Sequence, residues 1–451
     1  MEHTLTEGSV NRAAARYSVP FLLSYLLQSL YGMADLYVMG LYSDTSGTTA
    51  VSVGSQVMHV LTVLFMGLAM GTTVTTARAI GAATKGSEEA KREVSRTVGT
   101  SLTLFGILSL LSAAVLICLV RPVTALMSTP AAAVADCSVY LTICFAGIPF
   151  ITAYNVFAAL YRAAGDSLTP LYFVAMACAA NIGLDFLFTG ILGLGAAGVA
   201  LGTVLAQALS AVFAVIRTGK SGFFRLTFGD FRPVPRIIRS VMKIGVPVMV
   251  QDGLIQVTFI VITVLANRRE LDDAAAVGIV EKMIGIFFML PSTMLSTVSA
   301  LGSMNIGAGK PDRALRTLRF AVLTALIWGL CVSVTMQFAA ESVVGLFSPS
   351  SSVVRLGGTY LRGYIWDCAL AGVHFCFSGY FNALGRSEFS FLHNFLSMLC
   401  VRIPFAYFAS IRFPDTLFPM GMASTAGSTL SILICAAVFL SLRRKGKSES
   451  T

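Results

Sequence analysis

The sequence predicts an all-α polytopic membrane protein of twelve transmembrane helices, in two six-helix lobes related by a pseudo-two-fold axis along the membrane normal. Three observations carry this. The first is composition: 56% of the 451 residues are hydrophobic and 12% are charged, with a mean hydropathy of +0.79. A soluble domain carries about 25% charged residues, so too few charges remain here to cover a water-facing surface. The second is a series of apolar runs of about 20 residues, each long enough to cross a roughly 30 Å hydrocarbon core as a helix. They are centred near residues 28, 60, 107, 147, 178, 206, 254, 286, 327, 372, 399 and 430. The runs are continuous rather than alternating, which excludes a β-barrel.

The third observation is an internal repeat. Ile80-Gly81-Ala82-Ala83-Thr84-Lys85 is echoed far downstream by Ile306-Gly307-Ala308-Gly309-Lys310. Arg162-Ala163-Ala164-Gly165-Asp166-Ser167 is echoed by Asn382-Ala383-Leu384-Gly385-Arg386-Ser387, and Val19-Pro20 by Val246-Pro247. The three pairs share nearly the same offset, so they mark one repeat rather than three coincidences. A repeat of six spans returns the chain to the same side of the bilayer, so parallel halves follow. The expected division is a first lobe over 1–216, a cytoplasmic linker over 217–243, and a second lobe with a short basic tail over 244–451. Phe223, Phe224, Phe228 and Phe231 of the linker are expected to rest on the membrane surface.

The net charge of +10 is topological rather than a nucleic-acid footprint. Of the 32 Lys and Arg, 24 lie in alternate connections, from Arg12 and Arg16 to the tail at Arg443–Lys447, and 6 lie in the other set of loops. This positive-inside bias puts both termini of the inner-membrane chain in the cytoplasm, which requires an even number of spans. The polar first eleven residues lead into a long span without a cleavable signal pattern. Nine scattered cysteines read as small apolar filler. No phosphate loop, H-E-x-x-H or G-x-S-x-G is present, so the chain is not expected to be an enzyme, and no cofactor is indicated.

Polar residues inside spans are costly and mark function. Ser24, Gln28, Tyr31 and Asp35 are spaced by 4, 3 and 4 in the first span and share one helical face. Asn181 and Asp185 share a face of the fifth span, and Thr203 and Gln207 a face of the sixth. Two carboxylates, an amide oxygen and a hydroxyl form an all-oxygen set that suits a hard cation. The same carboxylates, desolvated together, could hold a proton instead. Asp35, Asn181, Asp185 and Thr203 are therefore the candidate site for Na⁺ or H⁺. Pro20, fifteen residues before Asp35, is the candidate hinge. The second half has Arg402 but no carboxylate where Asn181 and Asp185 map. Its polar candidates are Asp252 with Gln256, Glu281, Lys282, Asp367 and His374. The candidate substrate cavity comprises Gln28, Tyr31, Asn155, Gln207, Gln256, Glu281 and His374.

In order, these pieces resemble the multidrug and toxic compound extrusion (MATE) family, closest to its MepA-like bacterial subgroup. The resemblance runs from Pro20 through Asp35 to Gly40, the Ile80-Gly81-Ala82 loop and Gly147-Ile148-Pro149-Phe150. It continues through Arg162–Pro170, Asn181-Ile182-Gly183-Leu184-Asp185, Gly195–Thr203 and Gly307-Ala308-Gly309-Lys310. It implies a V-shaped pair of lobes and a first-lobe Na⁺ or H⁺ site matching Asp35, Asn181, Asp185 and Thr203. Gln256 stands about where some members carry a seventh-helix glutamate, so second-lobe coupling is not expected. The implied function is a monomeric antiporter exporting small amphipathic, cationic compounds, which places it with multidrug efflux and antibiotic resistance. The expected partners are a small-molecule substrate and the lipid bilayer, not nucleic acid. The alternatives are a lipid-linked precursor flippase, which an acidic cavity disfavours, and a membrane receptor or scaffold that transports nothing.

Overall fold

The structure, a computed structural model, describes residues 5–42, 44–84, 86–221, 224 and 226–448. Lys85 and Phe223 fall outside this set, as do the side chains of residues 30–33, 36, 221 and 445–448, among them Tyr31, Lys445 and Lys447. The described residues are helical throughout, with no strand.

The chain divides into two compact units. Unit 1 holds residues 1–8, 15–249 and 307–309; unit 2 holds 9–14, 250–306 and 310–451. Unit 1 is built from α1 (Val10–Tyr42, whose residues 10–14 fall in unit 2), α2 (Thr45–Ala83), α3 (Glu88–Cys118), α4 (Val120–Leu126), α5 (Val134–Ala146), α6 (Ile148–Ala163), α7 (Leu168–Asp185) and α8 (Gly195–Ser221). Helix α9 (Pro235–Asn267) begins in unit 1 and ends in unit 2. Unit 2 continues with α10 (Leu271–Phe287), α11 (Met289–Gly307), α12 (Pro311–Val344), α13 (Ser351–Tyr364), α14 (Asp367–Ala383), α15 (Ser387–Ser397), α16 (Ile403–Arg412) and α17 (Phe418–Ser448). Among the described residues, eight helices are long and apolar enough to cross a bilayer, and two bent pairs bring the number to ten. Helix α1, 33 residues long, and the α13–α14 succession stand at the first and tenth of the twelve expected positions.

Two of the spans are bent pairs of helices. The pair 131–146 and 148–163 bends by 48°, and the pair Leu271–Phe287 and Met289–Gly307 by 41°. At the first, Pro149 follows Gly147; Pro cannot donate to the preceding turn, so the ladder is interrupted there. A break recurs at 365–366, separated from Gly147 by close to the offset of the sequence repeat. The loop markers repeat in conformation as well. Gly165 and Gly385 have φ of 84° and 69°, and Gly86 and Gly309 have φ of 87° and 76°. Glycine adopts this region without the strain that other residues would meet, so the backbone of these loops calls for glycine.

The stretch expected as a linker is helical at both ends: α8 runs to Ser221 and α9 starts at Pro235. Arg217 and Lys220 thus lie in the last turns of α8, and Arg236, Arg239 and Lys243 in the first turns of α9. Between them, a 3₁₀ turn at Phe228–Phe231 is closed by Asp230, which accepts from the Thr227 amide and hydroxyl at 2.7 Å each. This turn is seated on α3 by Thr103, whose hydroxyl donates to the Phe231 carbonyl at 2.8 Å, and by an Arg236–Glu93 ion pair at 2.6 Å. Of the four phenylalanines expected at the surface, Phe228 is 98% exposed, but Phe224 is buried, edge-on to Tyr161 at 6.2 Å. An aromatic partner within the bundle outcompetes the interface there.

Each unit has its own core. Met39, Val51, Tyr140, Phe145, Ile148 and Val199 pack together in unit 1; Ile262, Val280, Tyr360, Tyr364, Cys368 and Leu417 do so in unit 2. Lipid is as apolar as these side chains, so close packing and hydrogen bonds, not the hydrophobic effect, hold the helices together. At one end of unit 2 a buried ion pair adds to this. Arg269 Nε meets Asp273 at 2.6 Å, both about nine-tenths buried, and the guanidinium also donates to the Ser410, Phe413 and Pro414 carbonyls. One side chain thereby ties the end of α9 to α10 and to the turn between α16 and α17.

Candidate functional site

The four residues expected to form the cation site converge within unit 1. Asn181 and Asp185 stand one turn apart at the end of α7, and the Asn181 amide donates to Asp185 Oδ1 at 3.3 Å. The same amide reaches Thr203 Oγ1 of α8 at 3.5 Å, and that hydroxyl donates to Asp35 Oδ2 of α1 at 3.4 Å. The Asp35 and Asp185 carboxyl groups are close enough to interact directly. Three helices therefore contribute one connected cluster. It is sealed from solvent, with Asn181 and Asp185 fully buried and Asp35 and Thr203 at 5% and 8% exposure.

Local geometry explains the placement. Asp185 is the last α-helical residue before a π-helical turn at Phe186–Ile191; such turns reset side-chain direction and recur at functional sites. On the facing helix, Gly202 leaves room for the carboxylate, since a methyl there would collide with Asp185 Oδ1. Gly202→Ala should therefore fold but displace that oxygen. At the roughly 1–3 kcal/mol typical of overpacking, apparent cation affinity should fall about five- to a hundred-fold, read from transport rate against ion concentration. An unchanged affinity would show that Asp185 tolerates displacement.

The cluster is short of donors. Among the described residues, Asp35 Oδ1, Asn181 Oδ1 and Asp185 Oδ2 are buried and find no hydrogen-bond partner. Buried polar atoms are nearly always satisfied, and a carboxylate left unpaired in an apolar interior costs several kcal/mol. Three acceptor oxygens beside two carboxyl groups fit a proton or a hard monovalent cation: the proton would sit on a carboxyl oxygen, and Na⁺ would be held by the oxygens of Asp35, Asn181, Asp185 and Thr203.

The remaining candidates are distributed as follows. Helix α1 is unbroken through Pro20, and Ser24 Oγ donates to the Pro20 carbonyl at 2.9 Å; such back-bonding favours a bend. Gln28 donates to Tyr154 Oη at 3.2 Å. Asn155 is buried, and its amide donates to the Ile151 carbonyl of its own helix at 2.9 Å. Gln207 is half-buried, with Oε1 unpartnered, and does not join the hydrogen-bonded cluster. In unit 2, Gln256 is half-buried, Glu281 accepts from Thr263 at 2.9 Å, and His374 Nε2 lies 3.1 Å from Ser428 Oγ.

Several polar residues of unit 2 carry no sequence signal. His393, whose ring centroid is 5.4 Å from that of His374, lies 2.8 Å from Ser378 Oγ. Tyr364, Thr263 and Ser428 are common residue types in spans, and only the fold brings them to the charged groups. The nearest available signal was the presence of charges inside spans, which found Arg402, Glu281, Asp367 and His374 but not Tyr364, Thr263, Ser428 or His393.

Comparison with known proteins decides the family. The MatE family model matches residues 20–187 and 247–408, about three-quarters of the chain in two blocks that start at Pro20 and Pro247. The chain belongs to the MatE family. It is a multi-pass membrane transport protein, not an enzyme. It is 26% identical to the probable multidrug resistance protein YpnP of Bacillus subtilis, over 96% of this chain and 95% of that one. It is 24% identical to the multidrug export protein MepA of Staphylococcus haemolyticus, over 85% and 83%. In fold it is similar to a crystal structure of MATE in complex with MaL6, with a TM-score of 0.90 and 21% identity over 98% of both chains.

Proposed function

We propose that this MatE protein is a secondary antiporter that exports small amphipathic, cationic compounds in exchange for H⁺ or Na⁺, acting as a monomer in a bacterial cytoplasmic membrane with both termini cytoplasmic. The observation that carries this reading is the buried cluster of Asp35, Asn181, Asp185 and Thr203 with its three unpartnered oxygens. The names of the relatives, one a multidrug export protein, support the direction and the substrate class.

The mechanism follows from charge. Two unit negative charges about 4 Å apart at an effective dielectric near 20 repel by about 4 kcal/mol. An arriving cation or proton relieves that repulsion and satisfies the orphaned oxygens, so loaded and empty clusters favour different helix arrangements. Helix α1 carries both Asp35 and Pro20, and so links the charge at the site to the candidate hinge in the same helix. Acidic residues attract a cationic substrate and repel a pyrophosphate, which favours drug efflux over lipid-precursor flipping.

A pair of conservative substitutions tests the assignment. Asp185→Asn should reduce ion-driven dye export at least tenfold more than Glu281→Gln, in cells with matched expression. The reverse order would place the coupling site in unit 2.

A further inference from the structure

Unit 2 contains a second buried group of acids, but with a built-in cation. Glu281 of α10 accepts from Thr263, and its Oε1 is buried with no partner among the described residues. Asp367, the first residue of α14, is 3% exposed and has Oδ1 equally unpartnered. Arg402 closes the π-helical turn between α15 and α16, within electrostatic reach of both acids. Tyr364 holds it, with its hydroxyl accepting from Arg402 Nη2 at 2.7 Å. The faces of Phe259 and Tyr364 lie 5.1 and 5.7 Å from Arg402 Cζ.

Arg402 nonetheless makes no ion pair within 4.0 Å among the described residues, and its Nε is buried without a partner. The other titratable groups facing this cluster are Tyr360, Tyr364 and His374. An arginine at the centre of a span costs about 2.5–3.5 kcal/mol even on insertion scales. Simple helix packing would be served better by an apolar residue. A guanidinium stays protonated at any physiological pH and cannot leave. It stands in the fifth span of the second half, the span whose first-half counterpart carries Asn181 and Asp185.

We propose that Arg402 is a tethered cation that does for Glu281 and Asp367 in unit 2 what the exchangeable ion does for Asp35 and Asp185 in unit 1. Unit 2 then stays permanently loaded, and only unit 1 exchanges an ion in each cycle. Two carboxylates against one guanidinium leave one negative charge over, which is available to a cationic substrate. Arg402 thus sets the number of ions exchanged, and is a positioning residue for charge rather than a ligand of the coupling ion. This inference rests on the antiport reading above.

The test uses the full chain in liposomes, with an outward ethidium gradient driving counterflow of H⁺ or Na⁺. The background is Asp35→Asn, in which unit 1 is silent. Asp35→Asn alone, and with Arg402→Lys, should show no ion counterflow. Asp35→Asn with Arg402→Gln should regain it, because Glu281 and Asp367, each within reach of Arg402, then have to recruit a free cation. A double variant that still binds ethidium but shows no counterflow would overturn the proposal. Should that variant not fold, Glu281→Gln/Asp367→Asn in the native background serves instead: ethidium affinity should fall more than tenfold with the ion-to-dye ratio unchanged, and a changed ratio would overturn the proposal. Counterflow persisting in Asp35→Asn alone would count against the first-site assignment, and so is distinguishable from failure here.

Discussion

Replacing Asp35 by Asn should abolish ion-driven dye export while leaving the protein folded and able to bind dye. The substitution is isosteric, and its amide can keep the 3.4 Å contact with Thr203, so packing in unit 1 survives. What disappears is one of the two charges that make the site exchange an ion. With about 4 kcal/mol of mutual repulsion at stake, removing one charge should lower cation affinity by up to about a thousand-fold. The measurement is dye efflux from proteoliposomes under an imposed gradient, beside dye binding and thermal unfolding of the same preparation. Undiminished export would remove Asp35 from the mechanism, whereas loss of dye binding and of folding together would mean that the residue is structural.

The largest stability effect is expected at Arg269. Arg269→Ala strands Asp273 as a buried carboxylate and takes donors from the Ser410, Phe413 and Pro414 carbonyls. Breaking one side of a buried pair costs about 3–5 kcal/mol, so the thermal transition in detergent should fall sharply. The double variant Arg269→Ala/Asp273→Ala removes the stranded charge and should recover part of the loss. A single variant as stable as the native chain would show that the clamp contributes nothing. Because the clamp belongs to unit 2 and shares no residue with the acid cluster of unit 1, surviving protein should keep its ion dependence.

The helices were readable because bilayer thickness dictates their length: a run of about 20 uncharged residues has few structural options. The acid cluster was readable for a related reason. Charge inside a span is rare, and the four-residue spacing of Asn181 and Asp185 fixes them on one face before any fold is known. The bends were harder. Gly147-Ile148-Pro149 carries a local signal, but the matching break at 365–366 falls in Tyr364-Ile365-Trp366-Asp367, where neither glycine nor proline marks it. Packing, not local propensity, decides that position. Phe224 shows the same limit: an aromatic beside basic residues fits the interface, yet Tyr161 takes it into the bundle. Arg402 stood out as a charge within a span, but its role depends on Tyr364, Glu281 and Asp367, which come from three other helices. No spacing rule relates them.

Obligatory exchange of a cationic compound for a cation at the Asp35 cluster is tested most directly by purified protein in liposomes loaded with ethidium. No ion gradient is imposed, and external pH and Na⁺ are followed as the dye leaves. Dye efflux should drive one of the two ions inward, and Asp35→Asn should eliminate both fluxes. Dye leaving through the native protein with neither ion moving would contradict coupled exchange at this site.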